Sequence, residues 1–191
     1  MENNLILKNI GFSNEDIIEI NEQGILELCN AKNIASIINI MTELNINNDD
    51  LKSIIKVNPY ILSEEFENIN KKINILEIED INNIQIKEIF LHNPFYLSNN
   101  IEDIIKTLNI LKKLNFSLPI ILEQNANILN LTDNELLEIF KIFENRGLTK
   151  EEIVDILEWR SDLIDLTDDE LNKLLDNNQG YENIVNIINN Y

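Results

Sequence analysis

The chain repeats itself at a nearly constant interval. Five segments align so that an apolar residue in one predicted helix lies eleven residues before an apolar residue that follows a break. Successive segments are offset by 34, 35, 32 and 35 residues, and the aligned pairs are Ile17/Leu28, Leu51/Leu62, Ile86/Leu97, Leu118/Leu129 and Ile153/Ile164. Such a period is typical of α-solenoids, in which each helix pair buries its apolar face only by stacking on its neighbours. The repeat predicts the architecture but does not name a ligand.

Apolar residues recur at helical spacing on both sides of each break. In the second repeat they are Leu51, Ile54 and Ile55 before the break and Phe66, Ile69, Ile73 and Leu76 after it. We therefore predict an all-α, curved α-solenoid of about five helix pairs, with a period of ~32–36 residues. It should form a single helical-repeat domain over residues 1–191, with a C-terminal capping helix over residues 181–191.

Polar residues mark where the predicted helices begin. Four segments match a capping box, in which a Ser or Thr precedes an acidic residue by three positions: Ser13/Asp16, Thr132/Glu135, Thr149/Glu152 and Thr167/Glu170. Ser63 and Ser98 are predicted N-caps of second helices. Gly11 and Gly147 lie where a preceding helix should end.

The breaks carry the most distinctive motif. Two of them read Asn58-Pro59-Tyr60-Ile61-Leu62 and Asn93-Pro94-Phe95-Tyr96-Leu97, and weaker versions occur near Ala126 and Ser161. Proline has no N–H to donate and disfavours the α conformation in the residue before it, so it ends the first helix. The leucine three residues later should turn inward between the helices.

This break, together with the segment that opens a repeat, resembles the mitochondrial transcription termination factor (mTERF) family. That opening has the form Leu-x-x-x-Gly-[Leu/Phe]-[Ser/Thr]-x-x-[Asp/Glu]-Ile. Leu7 to Ile17 matches it, and Phe143 to Ile153 matches it with Phe in place of Leu. The resemblance implies a curved solenoid with a concave face that binds nucleic acid.

The charge of the chain is strongly negative. Its 34 Asp and Glu residues against 15 Lys and Arg residues give a net charge of −19. Many acidic residues lie at predicted helix starts, where they stabilise the positive end of the helix dipole. Their field nevertheless repels polyanions and attracts basic surfaces. From Thr149 to Glu182 the imbalance is greatest, with eleven acidic residues against Lys150, Arg160 and Lys173.

The sequence lacks the residue sets of common catalytic and metal sites. With one cysteine, Cys29, and one histidine, His92, it has no Cys/His pair, Ser-His-Asp set or zinc-ligand spacing. Asp162, Asp165, Asp168 and Asp169 lack the order of an EF-hand loop. We expect no enzymatic activity, no cofactor and no metal. The amino-terminal sequence lacks the features of a signal peptide and no long apolar segment occurs, so we expect a cytoplasmic protein without a membrane span.

Two functions remain open. The first is a non-catalytic protein that binds a protein partner with a basic surface, in its sharpest form a nucleic-acid mimic such as a phage anti-defence inhibitor. Its predicted contact residues are Trp159, Asp162, Asp165, Asp168 and Asp169. The alternative is an mTERF-like nucleic-acid-binding protein in transcription or RNA metabolism, using Lys71, Lys72, Lys106, Lys112 and Lys113. Charge argues against duplex nucleic acid as the ligand, because phosphates need Lys and Arg.

Overall fold

A computed structural model describes residues 2–176 and 178–191, and within them the chain contains thirteen α-helices, four 3-10 helices and no β-strand. The all-α prediction is confirmed. By its internal packing the chain divides into two compact units, Met1–Ile101 and Glu102–Tyr191.

The helices of the first unit are α1 (Glu2–Asn9), α2 (Asn14–Glu22), α3 (Ile25–Leu28), α4 (Ala31–Glu43), α5 (Asn48–Val57), α6 (Phe66–Ile78) and α7 (Asn83–His92). Starting at the boundary, the second unit has α8 (Ile101–Lys113), α9 (Leu118–Gln124), α10 (Asp133–Glu144), α11 (Lys150–Trp159), α12 (Asp168–Leu175) and α13 (Tyr181–Asn189). The 3-10 helices are Pro59–Ser63, Pro94–Ser98, Ala126–Asn130 and Ser161–Asp165.

These elements reproduce the predicted five helix pairs. The first helices of the repeats are α2, α5, α7, α9 and α11, and the second helices are α4, α6, α8, α10 and α12. Helix α1 precedes the first pair, and α13 is the predicted C-terminal helix. The four 3-10 helices occupy the breaks of the second to fifth repeats. The apolar periodicity of the sequence therefore predicted the five helix pairs correctly.

The apolar residue that was expected to turn inward after the break does so in four repeats. Leu62, Leu97, Leu129 and Ile164 are all buried. Leu28, the aligned residue of the first repeat, is instead 75% exposed. Here Gly24, at the position that Asn58 holds in the second repeat, has φ +72°, and a short α-helix follows instead of a 3-10 helix.

Helix α1 and the second helices of the first four repeats end in the same way. Two or three residues after the end of α1, α4, α6, α8 and α10, one residue has positive φ between 60° and 96°: Gly11, Asn45, Asp80, Asn115 and Gly147. The next residue donates its N–H to a carbonyl five residues earlier, as Phe12 does to Leu7 and Ile46 to Met41. This is the Schellman pattern, which satisfies the last helical carbonyls and directs an apolar side chain into the core.

The predicted helix starts are largely confirmed. Complete capping boxes occur at Ser13, Thr132, Thr149 and Thr167, and a further one at Asn82. The N-cap prediction is wrong for Ser63 and Ser98, which close the 3-10 helices and donate to carbonyls three residues earlier. Glu65 is the N-cap of α6. The 3-10 helix is longer than the tight break that the sequence suggested.

Buried polar side chains connect neighbouring repeats. Asn58 Nδ2 donates to the Pro94 carbonyl (3.0 Å) and to Ser98 Oγ. In the second unit, Asn125 Nδ2 makes the equivalent bond to the Ser161 carbonyl (2.9 Å). Each asparagine precedes its own break and reaches the break of the next repeat. The motif therefore fixes the spacing of repeats as well as ending a helix.

Candidate functional site

The acidic segment from Thr149 to Glu182 contains the residues that were predicted to contact a protein partner. Trp159 is the last residue of α11 and is 53% exposed. Asp168 and Asp169 are the first two residues of α12, and both are exposed. Their position next to the Thr167 cap favours α12 through the helix dipole. Their exposure leaves their charge open to solvent and to a partner.

Asp162 and Asp165 already have partners within the protein. Arg160 donates to both carboxylate oxygens of Asp162, from Nε (2.9 Å) and Nη2 (2.7 Å). These hydrogen bonds hold the pKa of Asp162 below its ordinary value. Asp165 Oδ2 accepts a hydrogen bond from Asn125 Nδ2 (2.9 Å). Asp162 and Asp165 therefore make structural contacts, and both remain exposed to solvent, as Asp168, Asp169 and Trp159 do.

A groove of about 470 Å³ lies between the fourth and fifth repeats, within the second unit. Its lining includes the carboxylates of Glu135, Asp165 and Asp168 and the largely buried isoleucines Ile139 and Ile164. Such a groove suits the aliphatic stem of a lysine or arginine, whose charged end would meet the carboxylates. Asp165 and Asp168 line it, whereas Trp159, Asp162 and Asp169 do not.

Both arginines of the chain hold the ends of the last helices. Arg146 Nη2 donates to the carbonyls of Asn172 (3.3 Å) and Asp176 (3.2 Å) at the end of α12. Arg160 Nη1 donates to the Ile188 carbonyl at the end of α13. Cationic side chains stabilise helix C-termini in this way. Sequence reasoning missed the role of Arg146, since nothing in its neighbours along the chain indicates which helix end it reaches.

The lysines of the alternative nucleic-acid site are not equivalent. The prediction that Lys72 contacts nucleic acid is wrong, because this residue is only 2% exposed. Its ammonium group donates to the Leu97 carbonyl (2.5 Å) and to Glu64 (3.3 Å). Burial lowers the pKa of Lys72, against the opposing effect of Glu64. Lys106 is exposed and pairs with Asp103 at 3.0 Å. Lys71, Lys112 and Lys113 are exposed.

Neither unit carries an excess of positive charge. Met1–Ile101 contains 16 acidic and 7 basic residues, a net charge of −9. Glu102–Tyr191 contains 18 acidic and 8 basic residues, a net charge of −10. In addition, lysines in the described parts of the chain form ion pairs with Asp or Glu, among them Lys52, Lys56, Lys72, Lys87, Lys106 and Lys141. The negative charge is therefore a property of both units.

Neither a metal site nor a membrane span is found in the described parts of the chain. Among residues 2–176 and 178–191, no three His, Cys, Asp or Glu side chains are grouped so that they could hold a metal ion. The four aspartates between residues 162 and 169 do not form such a group. No helix in these residues is both long enough and apolar enough to cross a membrane.

The fold and its breaks define a helical-repeat protein, built from helix pairs with a 3-10 helix inside four of the five repeats. The family model described as mTERF matches residues 6–178, and the chain belongs to the mTERF family. The match extends from α1 to just beyond α12 and thus includes all five helix pairs. A comparison with curated proteins gave no match.

Proposed function

We propose that this mTERF-family protein is a non-catalytic binding protein that recognises a basic protein surface through its second unit. The observation that carries the proposal is the distribution of charge. Both arginines are used to hold helix ends, while Asp168 and Asp169 are exposed in the most acidic segment. In its sharpest form, the protein would occupy the nucleic-acid-binding surface of its partner.

The groove beside Asp168 supports this proposal because it combines charge with apolar surface. Ile139 and Ile164 contribute a small apolar area to its lining, and Glu135, Asp165 and Asp168 contribute carboxylates. Trp159 adds an exposed aromatic residue in the same unit, and aromatic residues are frequent anchors in protein interfaces. A cationic partner would also be attracted from a distance, since complementary charge accelerates association.

A suitable test measures the binding of a fluorescent arginine-rich peptide by anisotropy, with labelled duplex DNA as a second probe. We expect the peptide to bind and its association rate to fall as ionic strength rises. Duplex DNA should bind no better than the roughly 10⁻⁴–10⁻⁶ M of non-specific binders at physiological salt. Competition of the protein with DNA for a basic DNA-binding protein tests the sharper form.

The variant Asp168→Asn locates the contact. Its matched control is Asp133→Asn, because both aspartates directly follow a capping threonine and are exposed. Only Asp168 lines the groove. We expect Asp168→Asn to weaken peptide binding about two- to fivefold, in line with the energy of an exposed ion pair. Equal effects of the two substitutions would contradict binding at the groove, and no peptide binding at all would contradict the proposal.

Membership of the mTERF family favours a second candidate, a nucleic-acid-binding protein. Of the lysines that the sequence predicted for such a site, Lys71, Lys106, Lys112 and Lys113 are exposed. Sub-micromolar binding of DNA or RNA that falls steeply with added salt would favour this candidate. Lys113→Gln should then reduce the slope of the salt dependence, whereas the peptide should bind weakly.

A further inference from the structure

The first unit has its own exposed surface, formed by residues at the breaks of the second and third repeats. Val57 and Tyr60 occupy two positions of the second repeat, and His92 and Phe95 occupy the same positions of the third, 35 residues later. We call these four residues the break-edge stripe. Tyr60 is 54% exposed and Phe95 is 51% exposed. About half of each aromatic residue is therefore accessible to a ligand.

The backbone beneath the stripe is held firmly. The 3-10 helices Pro59–Ser63 and Pro94–Ser98 contact each other. The side chain of Asn58, at the start of one, donates to the Pro94 carbonyl and to Ser98 Oγ in the other. Below Phe95, the buried ring of Tyr96 stacks on Phe90 with 5.9 Å between centroids. A pre-organised surface loses less entropy when a ligand binds.

The charges around the stripe favour a cationic ligand. The unit as a whole carries a net charge of −9. A carboxylate oxygen of Glu88 lies 3.9 Å from His92 Nδ1, and the exposed Glu65 follows the first 3-10 helix. Lys56 precedes Val57 and pairs with Asp16 at 2.6 Å, a carboxylate that it shares with Lys52 (3.3 Å). A polyanion would meet repulsion here, whereas a cation would be attracted both by these carboxylates and by the aromatic faces.

We propose that the break-edge stripe binds an arginine-rich segment of a protein partner, with guanidinium groups placed over Tyr60 and Phe95. Arginine fits better than lysine because its planar group stacks on aromatic rings as well as carrying charge. The inference rests on the proposed function for the sign of the partner's charge, but it concerns a surface in the first unit. The stripe would extend recognition to a second part of the same partner.

The test compares two double variants of the full chain with the same arginine-rich peptide. Tyr60→Ala/Phe95→Ala removes the aromatic rings of the stripe. Ile78→Ala/Ile84→Ala is the control, because these exposed isoleucines lie in the same unit but outside the breaks. At about 0.5–1 kcal/mol for each exposed cation–π contact, the first pair should weaken binding roughly 5- to 30-fold and the second less than twofold. Both should keep the wild-type melting temperature to within a few degrees.

Further probes separate the inference from the function on which it rests. A second peptide carries lysine in place of every arginine. Compared with the arginine-rich peptide, it should lose more affinity for the wild-type protein than for the variant Tyr60→Ala/Phe95→Ala. Peptide binding that depends on Asp168 but not on Tyr60 and Phe95 would overturn the stripe and leave the proposed function standing. Absence of peptide binding would overturn both. Single-stranded oligouridine is the last probe. If it binds tightly to the wild-type protein and not to Tyr60→Ala/Phe95→Ala, the aromatic rings stack on bases, and the proposal of a cationic ligand is wrong.

Discussion

The buried amide of Asn58 provides the most direct test of how neighbouring repeats are held together. Its side chain is 1% exposed and joins the break of the second repeat to that of the third. Asn58→Ala removes both hydrogen bonds without changing the backbone requirement for proline at the next position. The Pro94 carbonyl, which is buried with its residue, then loses its donor.

The expected loss of stability follows from these contacts. An unpaired buried carbonyl costs about 1–3 kcal/mol, and the lost bond to the half-buried Ser98 adds about 1 kcal/mol. Together they predict a fall of about 2–4 kcal/mol in the free energy of unfolding. For a chain of this length, that corresponds to a fall in melting temperature of about 4–16 °C. The effect should be largest on the repeats that Asn58 joins, because repeat proteins depend on interfaces between neighbours.

Urea denaturation followed by far-ultraviolet circular dichroism measures this change, and native-state hydrogen exchange shows where it occurs. Asn74→Ala is the matched control, because Asn74 is an exposed asparagine inside α6. It should change stability by less than about 0.5 kcal/mol. Asn125→Ala should reproduce the loss in the second unit. A change at Asn58 as small as that at Asn74 would refute the structural role of the break asparagine.

The sequence predicts those parts of the fold that repeat locally. Apolar spacing placed the helix pairs, and Thr149 and Thr167 correctly marked helix starts, because both signals depend on residues within one helical turn. Leu28 departs from this pattern because one residue differs: Gly24 stands in place of the asparagine of the motif and adopts positive φ. A single backbone conformation thereby shifts which side chain faces the core.

The candidate site was harder to predict, since its residues are paired across repeats. Composition does not show that Asp162, Asp165 and Lys72 each have a partner on another element or across a turn, nor that Lys72 is buried. Asp165 meets Asn125, which lies 40 residues away in sequence. Asp168 was predicted to be accessible and is, because it is at the start of a helix with its side chain toward solvent. Charge alone cannot distinguish these cases.

Two further predictions concern ionisable side chains that the fold uses. Lys72→Ala should lower stability by about 2–4 kcal/mol, because it leaves the Leu97 carbonyl without its buried donor and creates a cavity, whereas Lys72→Met should retain part of that stability by filling the space. Urea denaturation of both variants checks this order, and equal losses would contradict it. The last prediction concerns pH. The ion pair with Lys56 is the main cause that holds the pKa of Asp16 well below its ordinary value of 3.8. Because the folded state binds this proton less readily than the unfolded state, the stabilisation is complete above about pH 4 and is lost as pH falls below it. Asp16→Asn should therefore make stability less dependent on pH between about pH 4 and 2, and an unchanged slope would show that the pKa of Asp16 is not lowered in the folded protein.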